Sequence, residues 1–111
     1  MLTKTKWKIT KPTADELGGT CLRGGFNLPY SKVVEKLGHP NYDYRKSNEL
    51  TDNKVSVEWE FKFSDETVAT VYNYKDGLNY DSNEGVEVEQ LTDWHIGGHN
   101  KKAVERVMEL I

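Results

Sequence analysis

The chain is predicted to fold as an α+β domain, a single antiparallel sheet of three to five strands with two helices packed on one face, in the order β-α-β-β-β-α. Three stretches carry that prediction. Val55 to Phe63, VSVEWEFKF, alternates apolar and polar residues without a break, the period of a half-buried strand. Thr67 to Lys75, TVATVYNYK, is rich in β-branched and aromatic residues and follows so closely that the two segments must form a hairpin. In the last twenty residues, Thr92 to Ile111, Trp94 and Ile96 alternate as in a buried strand and a glycine pair follows. A helix then places Ala103, Val104, Val107, Met108 and Ile111 along one side.

The remaining elements are read in chain order. Lys6 to Thr10, with Trp7 and Ile9, predicts an edge strand or packed arm within residues 1–12, its lysines being common edge protection. Thr20 to Leu28 predicts a strand with Leu22, Phe26 and Leu28 on one face, bent or bulged at Gly24 and Gly25. Pro29 suits a first helical turn, Val33, Val34 and Leu37 supply an apolar stripe, and Gly38 with Pro40 ends the helix. Asn41 to Lys54, with Ser47, Asn48, Asp52 and Asn53, reads as a loop, as does Asp76 to Gly85.

Two registers are open to the hairpin. With Asp65 and Glu66 as a two-residue loop, Trp59 faces Tyr72, and Val68, Tyr72 and Tyr74 join the buried face; this is the register we expect. A loop one residue longer turns Ala69 and Val71 inward and leaves the tyrosines outside. The opposite sheet face is expected to show Ser56, Glu58, Glu60 and Lys62. At the C-terminal helix, Gly97 and Gly98 are expected to turn the chain and His99 or Asn100 to cap it.

At 111 residues and 12.8 kDa the length suits one domain, residues 1–111. Its 36% hydrophobic content, with 12 aromatics, is too high for a disordered chain and points to a soluble globular fold. Cys21 has no partner for an internal disulfide and is expected to be a buried structural thiol. No apolar run reaches membrane-spanning length, and the N-terminal MLTKTKWKITK has no apolar signal core, so a cytoplasmic protein with no membrane partner is expected. The net charge of −3 is unevenly spread: Lys4, Lys6, Lys8 and Lys11 lie at the start. Asp76, Asp81, Glu84, Glu87, Glu89 and Asp93 fall within 18 residues with no Lys or Arg between them. Such a run either solvates a loop or steers toward a cationic partner.

Motifs for chemistry are sparse. His95 and His99 with Cys21 or His39 make an unconvincing zinc set, because two glycines separate the first pair and no cysteine pair exists. Cys21, Asp93, His95 and His99 suggest no nucleophile with an orienting third group, so neither an enzyme nor a cofactor is expected. Backbone N–H groups at Gly97, Gly98, His99, Asn100, Lys101 and Lys102 offer an anion seat for a nucleotide or phosphate, without a Walker or dinucleotide fingerprint. Stacking on nucleic acid by Trp59, Tyr72 and Tyr74 is opposed by Glu58 and Glu60, which repel phosphate.

The runs LPYSKVVEKLGHPNY, KVSVEWEFKF, ETVATVYNYKDG and WHIGGHNKKAVERV resemble a group of small proteins encoded by bacteriophages and related mobile elements. In that group a short helix ending in LG-x-P precedes an EW strand, an ATVY strand and a W-x-IGG-x-xKKAV helix start, and the resemblance spans roughly Gly25 to Met108. It departs in the hairpin, where similar proteins have Asp-Gly against Asp65 and Glu66 here, and in a longer loop from Tyr42 to Asn53. The resemblance implies a phage setting, hence the host cytoplasm, and a shared fold rather than catalytic residues. Small acidic phage proteins of this kind resemble inhibitors of host defence, including anti-CRISPR proteins. The expected function is therefore a non-enzymatic binder of a host defence effector or nuclease, with Glu58, Glu60, Asp81, Glu84, Glu87, Glu89 and Asp93 as the contact residues. The alternatives are the anion module and a homodimer formed through the open sheet face or edge strand.

Overall fold

The computed structural model describes residues 7–47 and 53–111; the expectations for Lys4, Lys6, Asn48 and Asp52 lie outside them. It is an α+β structure built on one open antiparallel sheet. The described elements are β1 (Ile9–Thr10), α1 (Ala14–Leu17), β2 (Cys21–Asn27), α2 (Tyr30–Leu37), β3 (Tyr42–Asp43), β4 (Val57–Phe63), β5 (Val68–Tyr72), a 3₁₀ turn (Val88–Gln90), β6 (Asp93–Gly98) and α3 (Lys102–Leu110). The sheet runs β1-β4-β5-β6-β2, and β3 also pairs with β4. That gives six strands and three α-helices among the described residues, against the three to five strands and two helices expected; β3, α1 and the 3₁₀ turn are too short to leave a periodic signal.

One face of the sheet carries the core. Val57, Trp59, Phe61 and Phe63 of β4 alternate inward beside Ala69 and Val71 of β5 and Trp94 and Ile96 of β6. Val33 and Leu37 of α2 and Ala103 and Val107 of α3 close over them. Trp59 and Trp94 meet edge to face at 5.4 Å. Their indole N–H groups donate to carbonyls at the two ends of α2, Trp59 to Gly38 and Trp94 to Leu28, each at 2.8 Å. The helix is thereby fastened at entry and exit by the residues it covers, which satisfies polar atoms that burial would otherwise strand. Gly38, at φ 83°, ends the helix in a conformation that side-chain-bearing residues avoid.

The hairpin does not take the two-residue turn. Ser64, Asp65 and Glu66 form a three-residue loop, with Glu66 N–H bonded to Phe63 O at 2.9 Å and Glu66 itself at φ 74°. The register becomes Glu58↔Tyr72, Trp59↔Val71 and Phe61↔Ala69, so Ala69 and Val71 turn inward and Tyr72 and Tyr74 lie on the other face. Asp65 explains the preference: its carboxylate accepts from Thr67 N–H at 3.1 Å within the loop and from Arg106 Nε of α3 at 3.0 Å. Burial acts to raise the Asp65 carboxyl, but these hydrogen bonds and the Arg106 charge prevail and hold it down at about 2.

Several other expectations are corrected. Gly97 and Gly98 do not turn the chain; they belong to β6, paired with β5 on one side and β2 on the other. Gly98 is required by packing, since a Cβ there would lie 2.3 Å from the Cβ of Ala103. The N-cap of α3 is Lys101, without a side-chain cap bond, rather than His99 or Asn100; Asn100, one residue earlier, accepts from Lys102 N–H through its side-chain oxygen at 2.9 Å. Leu22 faces away from Phe26 and is 57% exposed, because a bulge between Leu22 and Gly24 reverses the alternation of β2. Cys21 is exposed rather than buried, and Met108 also points to solvent. Ser56 is buried, not displayed on the open face.

β1 sits at one side of the sheet and β2 at the other, so the chain between them has to cross. It does so through Thr13, which begins α1 with a reciprocal capping box to Glu16. Glu16 pairs with Lys62, and its carbonyl meets Nε2 of His99 at 2.7 Å, which places α1 over one end of the face opposite the core.

Gly98→Ala should be destabilised by about 2 kcal/mol, because the α3–β6 approach cannot admit the added carbon without overpacking. Urea denaturation compared with Gly19→Ala, a site with open space but a φ of 82°, separates steric from conformational cost.

Candidate functional site

The sheet face opposite the core is covered by a described helix only at its α1 end, and it displays a row of side chains across four strands. Pairing sets Tyr42 of β3 beside Glu58, Glu58 beside Tyr72, and Tyr72 beside His95. The Tyr72 and His95 rings approach edge on at 5.5 Å, and Tyr74 continues the series at 5.8 Å from His95. Gly97 lies under the tyrosine: an added Cβ would be 3.3 Å from Tyr72 Cε1 and 2.6 Å from Thr70 Oγ1. A glycine at this position leaves room for the Tyr72 ring edge above the bare backbone.

Glu58 and Glu60 stand two residues apart on this face. Burial, then a hydrogen bond with the Glu60 carboxyl and its charge, pushes the Glu58 carboxyl up to about 8. Glu58 is therefore mostly a neutral acid at pH 7. The same burial, with the Glu58 carboxyl close by, raises the Tyr72 phenol.

Beside the row, residues 76–86 form a loop whose backbone is bonded to itself. Val86 N–H meets Asp76 O at 2.9 Å, Gly85 N–H meets Asp81 O at 2.8 Å, and Tyr80 N–H meets Gly77 O at 3.1 Å. The loop is anchored by a buried amide that sequence reasoning missed. Asn73 Oδ1 accepts from Ser56 N–H at 2.8 Å and Val57 N–H at 3.1 Å, while its Nδ2 donates to Ser56 Oγ at 3.0 Å and Asp76 Oδ1 at 2.9 Å. Asn79 joins by accepting from Ser56 Oγ at 2.6 Å and donating to Val55 O at 2.9 Å. Every hydrogen-bonding site of the Asn73 amide is filled. Two residues after inward Val71, an amide where an apolar side chain is due was the available signal; it shows only in the observed register.

The acidic residues singled out in the sequence differ in what holds them. Asp81 accepts from Asn83 N–H at 2.9 Å and Glu84 N–H at 3.0 Å, bonds that lower its carboxyl. Glu84 is exposed and lines a 380 Å³ hollow with Lys75, Tyr80 and Asp81. Glu87 precedes the 3₁₀ turn and is exposed. Glu89 is held by Arg45 at 2.6 Å, and the same guanidinium grips Asp43 through Nε at 3.0 Å and Nη2 at 2.7 Å. Asp93 is exposed at the start of β6, opposite Asn27.

At the expected anion seat, Gly97 and Gly98 are bound into the sheet. Lys102 N–H is taken by Asn100 Oδ1, and Ala103 N–H by Asn100 O at 3.2 Å. Lys101 and Lys102 are exposed, and His99 is engaged with Glu16. Among the described residues no group of three or more His, Cys, Asp or Glu is placed to hold a metal, and no helix is long and apolar enough to cross a membrane.

Comparison with family models, with curated proteins and with solved structures returns no match. The site therefore has to be interpreted from its own chemistry.

Asn73→Ala would leave the Ser56 and Val57 N–H groups buried without acceptors and free the loop at its root; a loss of about 3 kcal/mol in urea denaturation is expected. Glu58 gives a pH test. Its native value lies above the ordinary 4.5, so the folded chain holds a proton that the unfolded chain has lost between about 4.5 and 8. Stability should decline as pH rises through that window, and Glu58→Gln should flatten the decline and be the more stable protein at pH 8. The other groups displaced from their ordinary values, such as Asp65, Glu16 and Tyr72, titrate outside this range. Thermal unfolding from pH 5 to 9 checks it.

Proposed function

We propose that the chain is a non-catalytic binding protein that acts by covering a surface of another protein. The observation that carries this reading is the loop of residues 76–86. Its backbone is internally bonded and rooted on a saturated buried amide, yet it holds Tyr80 at 43% and Val86 at 38% exposure. Large apolar side chains kept outside a rigid segment do nothing for the core, whereas rigid aromatic anchors suit an interface because little freedom is lost on contact. Tyr74, likewise exposed, extends the surface onto the sheet.

The acidic residues give the surface its sign. With Glu58 largely neutral and Glu89 tied to the Arg45 guanidinium that Asp43 shares, the charge in the loop region without a cationic partner among the described residues comes mainly from Asp81, Glu84 and Glu87. A basic surface, such as the nucleic-acid groove of a nuclease or defence effector, has the complementary potential. The resemblance to phage-encoded proteins makes inhibition of a host defence effector, in the anti-CRISPR manner, the specific role proposed, in the cytoplasm of the infected cell. Exposed Leu22 beside Gly97 on the open face supports a second reading, a homodimer through that face.

Co-purification of the tagged chain from bacterial host lysate should retain a basic partner, and the double reversal Glu84→Lys with Glu87→Lys should release it while circular dichroism stays unchanged. A partner retained unaltered by the reversal would remove the loop acids from the interface. A concentration-dependent dimer in light scattering, with no partner captured, would favour the second reading.

A further inference from the structure

We infer that Tyr74 and Tyr80 frame a receptor for an arginine side chain of the partner, and that Lys75 occupies it in the free protein. The inference rests on the binding role proposed above and supplies its recognition chemistry. Lys75 Nζ lies 5.3 Å from the centre of the Tyr74 ring and 5.9 Å from that of Tyr80, so one ammonium is shared between two exposed aromatic faces. Both distances fall within cation–π range. Lys75 is held there by a backbone at φ 62°, a conformation lysine rarely adopts, with its N–H fixed to Lys54 O at 2.7 Å.

The surroundings are acidic, yet Lys75 forms no ion pair among the described residues. Asp76 is engaged by Asn73, Asp81 accepts from the backbone of its own loop, and Glu84 has no cationic partner among the described residues. Asp76, Asp81 and Glu84 line one hollow with Lys75 and Tyr80. The site thus combines two ring faces with carboxylate charge that its resident cation leaves unpaired. A guanidinium is suited to both at once, since it stacks flat on an aromatic ring while its N–H groups, pointing outward in its own plane, bond a carboxylate beside the ring; an ammonium is a point charge without that geometry. The same chain uses this combination internally: the Arg106 guanidinium lies 4.3 Å from the Trp7 ring centre and bonds Asp65 and Glu109.

Entry of a partner arginine therefore displaces the Lys75 ammonium into solvent, and Lys75 acts as a competitor built into the site. Loop rigidity fixes the position of Tyr80, so the two rings remain in place when the lysine leaves.

Hexa-arginine and hexalysine peptides, titrated calorimetrically against the full chain at matched salt, test this directly. The arginine peptide should bind at least about fivefold more tightly. Tyr80→Ala should weaken it by about fivefold while Tyr80→Phe, which keeps the ring, binds as the native chain does. Lys75→Gln should strengthen arginine binding several-fold. Equal affinity for the two peptides, indifference to Tyr80→Ala, or weakening by Lys75→Gln would each overturn the inference. The two proposals fail separately: a captured partner that survives Tyr80→Ala removes this receptor and leaves the binding role. Ring-dependent arginine binding with no partner captured removes the role proposed above and leaves the receptor.

Discussion

A left-handed backbone at Glu66 decides which side of the sheet each side chain of β5 occupies. The side-chain period of a strand is two, so a loop of three residues instead of two exchanges the faces of β5 as a whole. With Glu66 at φ 74°, Ala69 and Val71 complete the core, and Tyr72 and Tyr74 are delivered to the opposite face. The conformation is unfavourable for glutamate, by roughly 1 kcal/mol. Asp65 offsets that cost by accepting from Thr67 and Arg106, tying the loop to α3. The tyrosine surface and the buried Asn73 both follow from this one turn.

The strand β4 was legible from its alternation alone, as was the helix after Pro29, because in each a strong period agrees with its end signals: the burial pattern of β4 alternates along its full length. The register was not legible. Placing Tyr72 opposite Trp59 was the hydrophobic choice, and hydrophobicity misleads where an aromatic residue serves a surface. The contact that opposes it lies outside the hairpin, in Arg106, which is 41 residues from the carboxylate it bonds. Gly97 and Gly98 misled for a related reason: adjacent glycines suggest a turn, but here each removes a Cβ from a close approach, one beneath Tyr72 and Thr70 and the other beneath Ala103.

The candidate surface was half legible. The charge run was visible, but its division was not, because the sequence does not reveal that Arg45 reaches Glu89 or that Glu58 retains its proton beside Glu60. What distinguishes the loop of residues 76–86 from ordinary solvated chain is its anchorage. Asn73, Ser56 and Asn79 form a connected polar cluster with no buried side-chain polar atom left unpaired among the described residues. A network of that kind is valuable complete and costly when broken, so it fixes one arrangement of the loop rather than a family of them.

The crossing made by α1 also bears on the order in which the molecule can assemble. The first two strands have no neighbour close in sequence: Ile9 pairs with Phe63, and Cys21 pairs with Gly98. During synthesis, β1 and β2 must wait until the β4–β5 hairpin has formed and β6 has emerged. Closing such long loops before any contact rewards them raises the kinetic barrier, so the chain belongs among slower-folding small domains, in the millisecond-to-second range of roughly similar topologies. Until then the outer edges of β4 and β6 stand without β1 and β2, which makes the N-terminal strands late-arriving edges of a sheet whose central hairpin forms first.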